Sequence, residues 1–318
     1  MKKVRFGIIG CGNITRKFAP AFKESSYAEL IAISSRSAEK AKEYSSLFEC
    51  EGVVGYDSLL ERSDIDAVYI ATPTGTHMEW CLKAARKGKH ILCEKTLAVD
   101  EQQVLKILEC CEKENVSIFE GFAYQFHPQH DLLRDLIEDG SIGKPKCVEA
   151  KFGFPLISTD HRYDPSLGGG SLLDAGAYTI HMARKVFERE PIEVHSTLDT
   201  GREQVDIFGA ALLNFGKGQT AQLVFGFNYH YRNCCSIWGT EGLIELERVF
   251  SVPDTHSARL IHSKQDYRKE YNLEPYSIYL GEIDNFCINM DTKISQKKWG
   301  LESLLQIRVL DAVRNSAS

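Results

Sequence analysis

Val4-Arg5-Phe6-Gly7-Ile8-Ile9-Gly10-Cys11-Gly12-Asn13-Ile14-Thr15 places an apolar run, a glycine turn and a helix start in succession. The run reads as a buried strand, and residues 14–23 as a helix with Phe18, Ala19 and Phe22 on one side. The alternation continues outward: strands are expected at 29–34, 66–71, 90–93 and 116–119, and helices at 38–48, 75–87 and 104–114. Strands and helices alternating at this spacing build βαβ units and a parallel sheet wound on both faces. In such a sheet Gly10 suits the tight turn and Gly12 a close approach of pyrophosphate. Asn13 and Ile14 then begin a helix whose free N–H groups face the anion. Thr15 stands at the third fingerprint position, where Gly or Ala is usual.

The second expected strand ends Ser34-Ser35-Arg36-Ser37, with Lys40 one helical turn later. A site for a free ribose 2′-hydroxyl usually carries an acid about 20 residues past the glycines. Here a guanidinium, an ammonium and hydroxyls stand instead. Arg36 can grip a phosphate through two N–H groups, and Ser35 can donate to it. Ser35, Arg36 and Lys40 therefore point to NADP(H) as the preferred cofactor, with NAD(H) second.

The 318 residues are 43% hydrophobic and 26% charged, an ordinary globular balance long enough for about two domains. A net charge of −6 leaves no basic excess for nucleic acid or an anionic membrane. No apolar stretch approaches the ~18 residues that cross a bilayer. The opening Met1-Lys2-Lys3-Val4-Arg5 has no signal-peptide core, so the cytoplasm is expected. Ten cysteines include no Cys-x-x-Cys, and reduced thiols are expected. His127 with His130, and His77 with Cys81, lack a second pair at zinc spacing, so no metal is expected.

From about residue 121 the rhythm changes. A helix at 130–138 precedes β-rich runs at 146–154, 193–198, 207–215, 219–228, 234–238 and 242–246. Short turns such as Phe215-Gly216-Lys217-Gly218 join them, which implies a largely antiparallel sheet. A closing helix at 299–314 carries Leu301, Leu304, Leu305, Val309 and Ala312 on its apolar side. The expected fold is α/β. A doubly wound parallel sheet occupies 1–121, and an α+β domain with a large, mostly antiparallel sheet occupies 122–318. The last helix is free to pack back on the first domain. A broad sheet face predicts a homodimer or homotetramer.

Three further segments carry chemistry: Ile70-Ala71-Thr72-Pro73-Thr74-Gly75-Thr76-His77, Cys93-Glu94-Lys95-Thr96, and Gly168-Gly169-Gly170-Ser171-Leu172-Leu173-Asp174-Ala175-Gly176-Ala177-Tyr178. Lys95, at the carboxyl end of a parallel strand, lies on the edge where open α/β sheets bind ligands. Tyrosine, with an ordinary pKa of ~10, exchanges protons near neutrality only beside a cation that favours its phenolate. In order and spacing the segments resemble the Gfo/Idh/MocA family of nicotinamide-dependent oxidoreductases. The nearest branch holds glucose–fructose oxidoreductase, dihydrodiol and xylose dehydrogenases and NDP-hexose 3-ketoreductases.

The resemblance spans nearly the whole chain and implies a Rossmann first domain and hydride transfer to or from a small carbohydrate. It makes Tyr178 the proton donor and acceptor, with Lys95 polarising the carbonyl and tuning Tyr178. Thr72, Pro73 and His77 match the family's loop beside the cofactor, and Glu94 its ribose-side acid. Asp174 matches an acid near the substrate, or else caps a helix at 175–185. Tyr124, in the crossover segment 121–128, is expected at the substrate. Arg162 either reaches the cofactor or pairs with an acid. His181, three residues after Tyr178, reads as a satisfied, partly buried histidine.

Two positions depart from the family. Thr96 replaces a proline, and a cis bond before another residue costs ~3 kcal/mol, so a trans or reshaped loop is expected. Gln125 stands where relatives carry arginine. Residues 238–253 resemble NDP-hexose 3-ketoreductases, with Arg248 to Pro253 the distinctive part. The substrate is expected to be a sugar nucleotide, or else a free sugar or dihydrodiol. A glycosidase of the family that holds NAD would need an acid at Arg36, and a nucleotide-sensing regulator could dispense with Lys95 and Tyr178.

Overall fold

A computed structural model describes residues 2–157, 159–200 and 204–317. The chain divides into two compact units, Met1–Ala123 with Tyr279–Ile307, and Tyr124–Ile278 with Arg308–Ser318. The segment 279–307, which the sequence pattern left in the second domain, completes the first. It supplies apolar cover: Phe286 meets Phe6 edge-on at 5.7 Å, and Trp299 meets Phe119 at 4.9 Å.

The first unit holds β1 (Val4–Ile9), β2 (Ala28–Ser35), β3 (Glu51–Val54), β4 (Ala67–Ile70), β5 (His90–Glu94) and β6 (Ile118–Gly121). They form one parallel sheet in the order β3-β2-β1-β4-β5-β6. The order reverses beside β1, and the crevice at the carboxyl ends there is where such sheets take ligands. Phe6, Ile8 and Ile9 of β1 are fully buried, as are all four residues of β4, which accounts for their continuous apolar runs. The expected helix at 14–23 is two short ones, Asn13–Phe18 and Ala21–Glu24. Pro20 separates them, because it has no N–H with which to continue the ladder.

The second unit holds β7 (Pro145–Phe154), β8 (Glu193–Asp199), β9 (Phe208–Gly216), β10 (Gln219–Phe227), β11 (Arg232–Gly239), β12 (Leu243–Glu247), β13 (Arg259–Lys264) and β14 (Tyr267–Asn272). Their order is β14-β13-β12-β11-β7-β10-β9-β8, antiparallel throughout except for β7 beside β10. The sheet has two strands, β13 and β14, beyond those expected. Val148, Ala150, Ala221, Leu223 and Phe225 bury its inner face, over which helix Ala177–Phe187 packs.

Candidate active site

In the first unit the two turn glycines do different jobs. Gly10 has φ +113°, and a Cβ there would lie 2.8 Å from the Ala71 carbonyl oxygen. Only glycine makes this turn. Gly12 has φ −114°, and a Cβ there would meet nothing within 4 Å. Gly12 therefore keeps open the space before helix Asn13–Phe18, where Asn13 is exposed and Ile14 half-buried. Thr15 does more than replace a small residue. It is fully buried, and its hydroxyl donates to the Gly10 carbonyl at 2.8 Å, which locks the turn.

At the end of β2, the buried Ser35 hydroxyl accepts from Ser37 N at 3.2 Å. Ser37 caps helix Ala38–Phe48 by accepting from Lys40 N at 3.3 Å. Arg36 and Lys40 stay exposed beside this cap. The β3 strand adds a residue that the sequence reading missed. Gly55 N donates to Ser35 O at 2.9 Å, which sets Tyr56 next to Arg36. Burial raises the Tyr56 phenol above its ordinary value, and the Arg36 guanidinium opposes that rise. The Tyr56 ring also meets Trp80 edge-on at 4.9 Å.

At the ends of β4 and β5, Tyr69 donates its hydroxyl to the Glu94 carboxylate. Thr72 and Pro73 are half-buried there, and the Thr72 hydroxyl accepts from Thr76 Oγ1 at 2.8 Å. His77 does not serve as expected. It is 1% exposed, and both ring nitrogens contact backbone carbonyls, Nδ1 with Thr96 O at 2.9 Å and Nε2 with Thr72 O at 2.7 Å. Neither nitrogen is left for a cofactor, so His77 acts as a tie between two loops. Burial holds its imidazole below the usual value, against the pull of those carbonyls. The Lys95–Thr96 peptide bond is cis, which corrects the expected trans loop. Thr96 is buried with its carbonyl at His77, and Leu97 N donates to Glu120 Oε1 at 2.9 Å, so the surroundings rather than a proline define this turn. Lys95 itself is half-buried.

In the second unit, Leu172–Gly176 is a wide π turn that runs into helix Ala177–Phe187. Asp174 lies inside that turn and does not cap the helix. Its carboxylate takes Arg162 Nε at 2.8 Å, and Arg162 Nη1 lies 3.1 Å from Asp160 Oδ1. Arg162 pairs with these two acids, one of the two expected roles, and its charge is felt at Tyr178. Half-buried Tyr178 sits among Phe152, Tyr124 and Phe250, with ring centroids at 5.3, 5.7 and 5.8 Å. Tyr124, expected at the substrate, is 2% exposed with its hydroxyl 2.7 Å from His181 Nδ1. Its hydroxyl is turned inward, so Tyr124 supports Tyr178. Burial holds the His181 imidazole well below its ordinary value, so the Tyr124 hydroxyl is hydrogen-bonded to a neutral ring. Phe250 comes from the distinctive 248–253 segment. Asn233 clamps it, accepting from Phe250 N at 2.8 Å and donating to Ser251 O at 3.0 Å. Among the described residues no group of three His, Cys, Asp or Glu is arranged to hold a metal.

The family model described as "Oxidoreductase family, NAD-binding Rossmann fold" matches residues 4–122, and the GFO/IDH/MocA C-terminal domain matches 130–245. The chain belongs to the Gfo/Idh/MocA oxidoreductases. One member, a dTDP-3,4-didehydro-2,6-dideoxy-alpha-D-glucose 3-reductase of Saccharopolyspora spinosa, is 39% identical over 79% of this chain and 77% of its own. The D-xylose 1-dehydrogenase (NADP(+)) 2 of Haloferax volcanii is 30% identical over 98% and 97%. KijD10, a 3-ketoreductase from Actinomadura kijaniata solved with NADP and TDP-benzene, superposes with a TM-score of 0.91 at 34% identity, covering 99% of this chain and 98% of that one. Its Rossmann domain and mostly antiparallel second sheet make this chain a Gfo/Idh/MocA oxidoreductase in architecture as well as in sequence.

Proposed function

We propose that this Gfo/Idh/MocA oxidoreductase uses NADP(H) to interconvert a carbonyl and a hydroxyl on a sugar, with a nucleotide-linked ketohexose as its substrate. The observation that carries the reading is the 248–253 segment, which sets Phe250 against Tyr178 in a chain whose full-length likeness is to 3-ketoreductases of dTDP-sugars. The cofactor fits the residues present. Gly12 leaves backbone room for a pyrophosphate, Asn13 and Ile14 open the helix behind it, and Ser35, Arg36, Lys40 and Tyr56 suit a 2′-phosphate. Thr72, Pro73 and Glu94 would hold the nicotinamide side. When bound, the nicotinamide supplies or accepts the hydride.

The protein's own residues manage the proton. A ketone that gains hydride needs a proton at its oxygen, and Tyr178 supplies it as general acid. Arg162, whose charge bears on Tyr178, favours its phenolate, and Lys95 is the cation that the family resemblance assigns to polarising the carbonyl. Tyr124 and His181 hold the Tyr178 ring, and Asp174 orients Arg162.

The test is NADPH oxidation, followed by absorbance, with TDP-linked 3-keto sugars and with free pentoses run in both directions. Turnover of the nucleotide sugar is expected. Turnover of xylose alone would favour the second reading, a free-sugar dehydrogenase, for which the Haloferax volcanii relative speaks. Tyr178→Phe should lose ~10²-fold or more in turnover while still binding NADPH.

The outer face of the second sheet is the proposed subunit contact. Leu212 and Trp238 are 46% and 65% exposed there, and Cys147 pairs with Trp238 on the same face. Light scattering should find a dimer or tetramer that Trp238→Glu dissociates. All ten cysteines are free, which suits the reducing cytoplasm.

A further inference from the structure

Helix Ile278–Asn289 completes the first unit and buries Glu282 fully. Among the described residues neither oxygen of its carboxyl has a hydrogen-bond partner. A Cβ built on Gly121 would lie 3.2 Å from Glu282 Oε1, 3.1 Å from Cys93 O and 3.5 Å from Glu94 Cα. The carboxyl therefore stands at the ends of β5 and β6, against the residue that precedes Lys95. Glu94, its neighbour, takes the Tyr69 hydroxyl. One strand end thus holds two carboxyls, one hydrogen-bonded and one bare. With Glu282 fully buried, a charge on it is opposed both by the loss of water and by the charge of half-buried Glu94, so one carboxyl of the pair keeps its proton. The Tyr69 bond fixes the charge on Glu94 and leaves the proton on Glu282. Burial first, and the Glu94 charge second, hold that proton well above the ordinary carboxyl range.

We propose that Glu282 is a positioning residue that acts through Glu94. While Glu282 is neutral, Glu94 is the only charged member of the carboxyl pair and can accept the cofactor's ribose hydroxyls. Once Glu282 ionises, a second carboxylate charge stands beside the Glu94–Lys95 turn and cofactor binding weakens. The proposal rests on the reading of Glu94 as the ribose-side acid. The other titratable groups on the elements packed here are accounted for. They are Tyr69 on β4, His90 and Cys93 on β5, Glu120 on β6, Lys95 in the loop beyond, and Tyr279, Asp284 and Cys287 on the helix itself. Glu120 accepts from Leu97 N at 2.9 Å and Asp284 from Ser25 Oγ at 2.5 Å. Glu94 is the group whose charge bears on Glu282.

Glu282→Gln in the full chain tests this in two measurements. The first needs no cofactor: the unfolding temperature from pH 5 to pH 8. An unfolded glutamate ionises near its ordinary ~4.3, whereas the folded one keeps its proton. Wild-type stability contributed by this group is therefore lost as pH rises above that value, and glutamine removes the dependence. The advantage of Glu282→Gln over wild type should widen from pH 5 to pH 8, and a pH-independent difference overturns the proposal. The second is NADPH affinity by nicotinamide fluorescence at pH 7 and pH 9. Wild-type affinity should weaken at least threefold more than that of the variant, and parallel profiles overturn the role in binding. Glu282→Met, which fills the volume with no polar head, gives the same two readouts should the amide variant fail to fold. Absence of NADPH binding at pH 7 in wild type would sink the cofactor reading instead, while the stability measurement still reports on the Glu282 proton.

Discussion

Tyr124 Oη and His181 Nδ1 stand 2.7 Å apart inside the second unit, and the Tyr124 ring meets Tyr178 edge-on at 5.7 Å. A hydroxyl–imidazole bond in a dry interior fixes both rings, and through them the Tyr178 phenol proposed as the general acid. Tyr124→Phe keeps the ring and deletes the bond. Its kcat should fall about tenfold with KM changed less than twofold, and stability should drop by about 1 kcal/mol. Steady-state kinetics and denaturant melts read both. An unchanged kcat would reduce the pair to packing.

Arg36 follows the end of β2 and stands beside Tyr56. A charged hydrogen bond contributes about 1.5–3 kcal/mol, or roughly 10- to 150-fold in affinity. Arg36→Ala should weaken NADPH by that factor and leave NADH unchanged. Fluorescence titrations with both cofactors check it, and equal wild-type affinities for the two would refute the phosphate argument.

The glycine turn separates stability from binding. Gly10→Ala forces a Cβ to 2.8 Å from Ala71 O at a left-handed φ, and should cost more than 1 kcal/mol of stability. Gly12→Ala meets no atom within 4 Å, so its melting curve should match wild type. Its NADPH affinity should nevertheless fall tenfold or more, because the new methyl occupies the space left for pyrophosphate. Unimpaired binding by Gly12→Ala would move the cofactor off this turn.

Acid should loosen the second unit before its carboxylates titrate. Burial pushes His127 down to about 4 and His181 well below 6.5. The unfolded chain takes up these protons near 6.5, so stability falls as pH drops from about 6.5 toward 4. His127 also caps helix Pro128–Glu138 by accepting from Gln129 N. His127→Asn keeps a cap and removes the titration, so its melting temperature should fall less between pH 7 and pH 5. Parallel curves for the two proteins would show that His127 is not held neutral.

Legibility followed burial. The strands β1, β4 and β5 are visible in the sequence because a parallel sheet covered on both faces spells continuous apolar runs. The short β3, Glu51–Val54, is mostly exposed and spells none, which hid Tyr56 at its end. At the far edge of the second sheet β14, Tyr-Arg-Lys-Glu-Tyr-Asn, is polar throughout and gave no pattern either. Helix Ile278–Asn289 was missed for the opposite reason, since its apolar residues surround it and leave no stripe. Among the candidate residues, Lys95 and Tyr178 stand out in the sequence because each belongs to a motif. The inward turn of Tyr124, the commitment of Arg162 to Asp174 and the tie made by His77 depend on partners distant in the chain, and no local spacing announces them.

The nesting of the chain has a consequence for how the protein is made. A nascent polypeptide that has cleared the ribosome to residue 123 still lacks Phe286 and Trp299, so Phe6 and Phe119 wait for those two rings until the 155 residues of the intervening segment and the start of the next have been translated. The nucleotide-binding half cannot mature first, although it is encoded first. A minimal version for expression should splice out the middle of the gene and keep its tail; trimming the carboxyl end would undo the half that lies farthest from it in sequence.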